Sequence, residues 1–160
     1  ISKGNLAAAR LELGKIWQLI SLNDIDKHRV GPTPVSSILR LAAHGLSGEI
    51  KQASGDILSA IKDYESAIAI EDRNAYIEPP DWPQPIRHYL GDALLQAGQP
   101  KKAEEVYRKD LDWHQNNGWA LFGLWQSLAA QGKSEEADET YKKFRHAWRN
   151  ADTNLTRSRI

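Results

Sequence analysis

The feature that most constrains this chain is a spaced triplet that returns at a fixed interval. Gly98, Ala103 and Tyr107 recur as Gly132, Ala137 and Tyr141, each 34 positions on, and Leu90 and Leu94 recur as Leu124 and Leu128 at the same offset. The Gly-x4-Ala-x3-large pattern stands twice more, as Gly55, Ala60, Tyr64 and as Gly4, Ala9, Leu13, with offsets of 43 and 51 residues between the alanines. The extra residues fall in two proline-bearing stretches, 70–85 and 21–34, where insertions between repeated units belong. Such a period denotes stacked two-element units.

The spacing has a physical cause if each unit is a pair of antiparallel helices. Gly98 lets the chain leave the first helix through a tight or left-handed turn. Ala103 comes early on the second helix, where a methyl group allows close backbone approach. Tyr107 lies one turn later on the same face and fills the seam with its ring. This predicts helices over residues 6–19, 35–53, 56–70, 85–97, 100–113, 119–131 and 134–148. The last is expected to run on through Asp152 and Leu155 and cap the open end. No sustained period-two alternation is present, and Asn117-Gly118 lies between helical patterns, so strands are not expected.

Composition narrows the function classes. The chain has 160 residues, of which 41% are apolar, enough for a real core. Lys plus Arg (21) balance Asp plus Glu (21), which argues against a general electrostatic grip on nucleic acid or anionic membrane. The short basic clusters Lys101-Lys102 and Lys142-Lys143 read as solvated helix faces. Cysteine is absent, which removes disulfides, thiolate metal sites and cysteine nucleophiles. No apolar run approaches the roughly 20 residues that a bilayer-spanning helix needs. The expectation is therefore a soluble protein without membrane insertion, cytoplasmic or periplasmic. A chain that begins at Ile1 and holds no Met is expected to be the later part of a longer one.

The residues Leu90-Gly91, Leu94, Gly98, Ala103 and Tyr107, followed by Leu121, Leu124, Leu128, Gly132, Ala137 and Tyr141, resemble the tetratricopeptide repeat (TPR) signature. Glu71-Asp72, residues 76–82, 117–124, Ala147-Trp148 and Ala151-Asp152 more narrowly resemble the C-terminal part of long bacterial TPR proteins with no assigned reaction. The resemblance implies an all-α fold, a right-handed superhelical array of about three and a half helix pairs. It would be one solenoid over 1–160: an orphan second helix (1–20), repeats at 35–70, 85–115 and 118–148, a proline-rich insert (71–84) and a helical extension (149–160). It also implies a concave groove that receives peptides or proteins. Matching positions gives His88, Asp92 and Gln96 on one groove-lining helix, Trp119, Phe122 and Gln126 on the next, and Glu49 with Gln52 on an earlier one. Rings would anchor a ligand and amides would set its register, unless Trp119 and Phe122 simply pack between repeats. The family's clamp for C-terminal carboxylates uses Lys, Asn and Arg at these positions, so that ligand is not expected.

Three departures bear on the fold. Trp125 stands where Gly91 predicts a small residue, and Asp110 and Phe144 stand where the family has Ala. Trp125 and Phe144 are expected to face each other and loosen the last repeat, or to wall a pocket. Asp110 is expected either to accept bonds from backbone near Gly118 or the Trp119 indole, or to be wet.

The insert carries four prolines between 79 and 85 and reads either as a lid, with Glu78, Asp81 and Trp82 touching a ligand, or as a surface loop. The chain's five histidines are scattered, with no His-Glu-x-x-His, no phosphate loop and no Gly-x-Ser-x-Gly elbow, so neither enzyme chemistry nor a metal or cofactor is expected. The leading expectation is a module that binds a peptide or partner domain. The alternatives are a structural C-terminal end of a larger scaffold with the active function elsewhere, the open face of its first helix meeting a further helix or self-associating, and a small-molecule site beneath the insert.

Overall fold

The computed structural model describes residues 4–22, 24–75, 77–80 and 82–159, and among these seven α-helices are joined by short turns and by two longer connections, after the first and the third helix. Two compact units are present, Ile1–Ile86 and Arg87–Ile160.

The first unit opens with α1 (Leu6–Ile20), whose N-terminus is capped by the Asn5 side chain accepting from the Ala8 amide. A short 3₁₀ turn follows, and then β1 (Arg29–Val30) pairs antiparallel with β2 (Thr33–Pro34) around Gly31 at φ +55°. This ladder is a small departure from the strand-free expectation. At two residues per strand it carries too little periodicity to be seen in sequence. Helices α2 (Val35–Ala53) and α3 (Ile57–Glu71) form an antiparallel pair. Lys51 meets Asp63 at one end, at 2.6 Å, and Ser37 meets Asn74 at the other, at 2.7 Å. Tyr64 lies across α2 so closely that a Cβ on Gly48 would stand 2.5 Å from its Cε1. Its hydroxyl donates to Gln52 Oε1 at 2.8 Å. Each fully buried apolar side chain here, Leu41 and Ile86 among them, contributes about 1.5–3 kcal/mol. Helix α1 packs antiparallel on α2, with Trp17 edge-on to His44 and Arg10 donating to Ser54.

The second unit contains α4 (Ile86–Gln96) from Arg87 onward, α5 (Pro100–Trp113), α6 (Gly118–Ala130) and α7 (Ser134–Ala147). Gly98 and Gly132 turn the chain at φ +68° and +72°, a region that costs glycine no steric strain. Asn117 caps α6 by accepting from the amides of Trp119 and Ala120. The Tyr107 ring is wedged between two helices. A Cβ on Gly91 of α4 would stand 2.2 Å from its Cζ, and one on Gly123 of α6 only 2.1 Å.

Helices α6 and α7 are joined by aromatic rings rather than by a small-residue seam. Phe122 meets Phe144 at 5.2 Å and Trp125 meets Tyr141 at 4.9 Å between ring centroids. Of the two expectations for Trp125 and Phe144, the pocket wall is the one found: both line one cavity, and Trp125 packs against the cluster that holds Phe144. Trp125 lies beside Tyr141 and Phe122, and Phe144 joins Leu121 and Phe122 in the core.

The helical continuation through Asp152 and Leu155 does not form. Helix α7 ends at Ala147, and Trp148 turns the chain by donating its indole N–H to the Thr153 carbonyl at 2.7 Å. Residues 149–159 carry no helix and lead to polar groups on α4 and α5 that fix residues 157–159.

Candidate peptide-binding face

Helix α4 presents His88 and Asp92 one turn apart, a spacing that places both on one side. They do not pair with each other. Arg157 grips Asp92 in a two-point fork, Nε to Oδ1 at 3.0 Å and Nη2 to Oδ2 at 2.6 Å. Arg159 adds a third bond, Nε to Oδ2 at 3.1 Å, and its guanidinium lies 5.7 Å from the centroid of the Tyr89 ring. The carboxylate therefore serves two cations at once.

Between the two arginines, Ser158 is fully buried, with 0% exposure. Its Oγ donates to the His88 carbonyl at 3.2 Å and pairs with the Tyr107 hydroxyl. A serine hydroxyl has one proton, so once it donates to the carbonyl it can only accept from Tyr107. Burial, with help from the nearby Asp92 charge, pushes the Tyr107 hydroxyl well above its ordinary value, against the lowering effect of the Ser158 bond. That phenol stays protonated and remains a donor. The same tyrosine whose ring fills the α4–α6 seam thus supplies the polar end of this face.

Beneath it, Asp110 of α5 is 1% exposed and is bonded by His88 Nε2 and His114 Nδ1, each at 3.0 Å. A carboxylate only accepts, so each nitrogen carries the proton that faces it. This corrects both expectations for Asp110, which is neither wet nor held by the Trp119 indole. His88 Nδ1 has no hydrogen-bond partner among the described residues.

The other sequence-derived candidates fall elsewhere. Gln96 is exposed at the end of α4. Trp119 is half-buried, edge-on to Trp148 at 5.3 Å. Phe122 is buried in the α6–α7 core, while Gln126 lines a cavity of 580 Å³ beside Trp125, Tyr141 and Arg145. Glu49 and Gln52 belong to the first unit, half-buried and buried respectively. Glu78 is exposed and Trp82 half-buried in that unit, and Asp81 lies outside the described residues. Sequence reasoning missed Arg157, Ser158, Arg159 and His114. The only available signal was two arginines flanking a serine without a nearby acid. Among the described residues, no three His, Asp or Glu side chains gather as metal ligands, and no helix is long and apolar enough to cross a membrane.

No protein-family model matches this chain, and no curated protein does. The chain is similar to a solved structure described as the crystal structure of MamA protein, a TPR-containing protein, with a TM-score of 0.59 and 20% identity over 97% of this chain and 81% of that one. At that identity the likeness shows the fold, an all-α, TPR-like helical repeat array.

Proposed function

We propose that this chain is a protein-interaction module that belongs with the tetratricopeptide proteins and holds a polypeptide segment of its partner on the face of α4, without catalysing a reaction. One observation supports the reading. That face already receives a polypeptide segment, residues 157–159, through hydrogen bonds and ion pairs to Asp92, Tyr107 and the His88 carbonyl. On this reading a longer segment would run on to α6, to Trp119 beside Trp148 and to Gln126 in the α6–α7 cavity.

The test is partner capture by photo-crosslinking in a cell extract, compared between wild type and variants. Asp92→Asn and Gln126→Ala are expected to lower recovery of the same crosslinked protein at least fivefold while the helical circular dichroism signal persists. Equal recovery from all three proteins would overturn the reading.

A second reading, a structural role in a larger assembly through α1, is favoured by that helix's outer face. Leu11 and Leu19 on the helix are 69% and 46% exposed, and Leu22 just after it is exposed as well. Light scattering decides this one. Concentration-dependent association that Leu11→Glu abolishes would support it, and a monomer at all concentrations would exclude self-association.

A further inference from the structure

The segment seated on α4 carries specific chemistry. Asp92 is one carboxylate facing two guanidinium groups, a geometry that suits the planar forked donors of arginine and wastes the point charge of lysine. The slot between them admits a small hydroxyl side chain, with a phenol donor on one side and a carbonyl acceptor on the other. Three consecutive residues thus meet three complementary groups in register.

We propose that this face is a recognition site for an arginine–serine–arginine segment of a protein partner, and that residues 157–159 are its built-in occupant, which the partner must displace. The inference rests on the interaction-module reading and names its partner's chemistry. Part of the built-in hold is open to solvent: the Arg157 side chain is 40% exposed, so water and salt screen its ion pair, whereas the Arg159 side chain is 10% exposed and Ser158 is buried. Among the described residues after Trp148, Leu155 is the one apolar side chain packed on the α6–α7 core. Tethering compensates by giving the segment an effective concentration on the order of millimolar. A free segment of equal intrinsic affinity is therefore held off until the tethered one is released. Ser158 is the natural point of release. A negative charge there would face the His88 carbonyl oxygen and lie close to Asp92, with no water to screen it.

The test uses the full chain and a fluorescent peptide of residues 153–159, Thr-Asn-Leu-Thr-Arg-Ser-Arg, followed by anisotropy. Two variants open the site, Ser158→Glu and the pair Arg157→Ala with Arg159→Ala. Each is expected to bind the peptide about tenfold more tightly than wild type. Adding Asp92→Asn is expected to remove that gain, and a peptide with both arginines replaced by lysine is expected to bind at least fivefold more weakly. The arginine pair variant keeps the buried Ser158, so it carries the comparison if Ser158→Glu does not fold. In wild type, saturating peptide is expected to speed tryptic cleavage after Arg157 severalfold. Equal binding by closed and opened chains, or binding indifferent to Asp92, overturns the proposal. So does cleavage after Arg157 that peptide leaves unchanged. If the peptide is ignored while Asp92→Asn still lowers partner capture, the arginine–serine–arginine assignment falls and the interaction-module reading stands.

Discussion

The Asp92 carboxylate meets the Arg157 guanidinium edge-on across 65 residues of sequence, at 3.0 and 2.6 Å. The pair closes the segment after α7 onto α4. Because Asp92 is buried and Arg157 is not, the contact is asymmetric. Removing the acid leaves Arg157 to water and takes the same partner from Arg159, whose side chain is 10% exposed, whereas removing Arg157 leaves Asp92 to Arg159.

Asp92→Asn is therefore expected to cost about 1–2 kcal/mol, less than a wholly buried ion pair would. Urea unfolding at low and high salt checks this, with the difference between wild type and variant shrinking as salt rises. Tryptic cleavage after Arg157 and Arg159 should quicken in the variant under conditions where its helices remain folded.

The Tyr107 seam makes a second prediction. A methyl group at Gly91 or Gly123 would fall within 2.2 Å of a ring that is pinned by its hydroxyl to Ser158, so the ring cannot swing aside without giving up that bond. Gly91→Ala and Gly123→Ala are each expected to destabilise by about 1–3 kcal/mol or more. Gly14 on α1 is the control, since nothing lies within 4 Å of its added Cβ. Gly14→Ala is expected to stabilise by about 0.5–1 kcal/mol through helix propensity. Thermal melts of the three variants should move in opposite directions, by roughly 2–4 °C per kcal/mol for a chain of this size.

The seam was legible in the sequence because it is a local steric demand. A ring that fills a gap between helices needs small residues at set distances, and Gly91, Ala103 and Tyr107 display that demand within 17 positions. Gly123, the second wall of the same slot, was not recognised, because it stands two residues before the position that the repeat assigns to a small residue. Trp125 occupies that position and turns to Tyr141. Asp110 was visible as a departure, but its partner His88 was not, since a periodic pattern fixes a helix face and leaves side-chain pairing across 22 residues open. The segment 149–159 is not the helix that the sequence suggests. It has no apolar period of its own, and its fold is dictated by Asp92, Tyr107 and the His88 carbonyl, 51 to 70 residues away.

Asp110 is the most deeply buried acid of the second unit's polar set, and both its oxygens are used. Asp110→Ala would restore the small residue of the TPR pattern yet strand the His88 ring nitrogen in a dry site. The expected cost is about 1–3 kcal/mol, the desolvation of one unsatisfied buried donor. Combining Asp110→Ala with His88→Leu, which removes donor and acceptor together, should recover much of that loss. A double-mutant cycle from urea unfolding measures the coupling, and additive losses would show that the pair contributes nothing as a pair.

Glu104 ties α5 to the turn between α6 and α7, and it gives the protein an acid-sensitive joint. Its own burial would raise its carboxyl, but hydrogen bonds from Lys133 at 2.7 Å, Gln131 at 2.8 Å and Arg108 at 2.9 Å outweigh that and hold it at about 2 instead of the ordinary 4.5. The unfolded chain thus takes up this proton at a higher pH than the folded one. The stabilisation is fully present above about pH 4.5, drains away as the pH falls, and is gone below about pH 2. Other carboxylates titrate over part of this window, so the decisive comparison is with Glu104→Gln, which keeps the shape and cannot ionise. The variant is expected to be less stable than wild type at pH 7, with the gap in melting temperature narrowing steadily between pH 4.5 and 2. A gap that stays constant across that range would mean that Glu104 contributes packing alone.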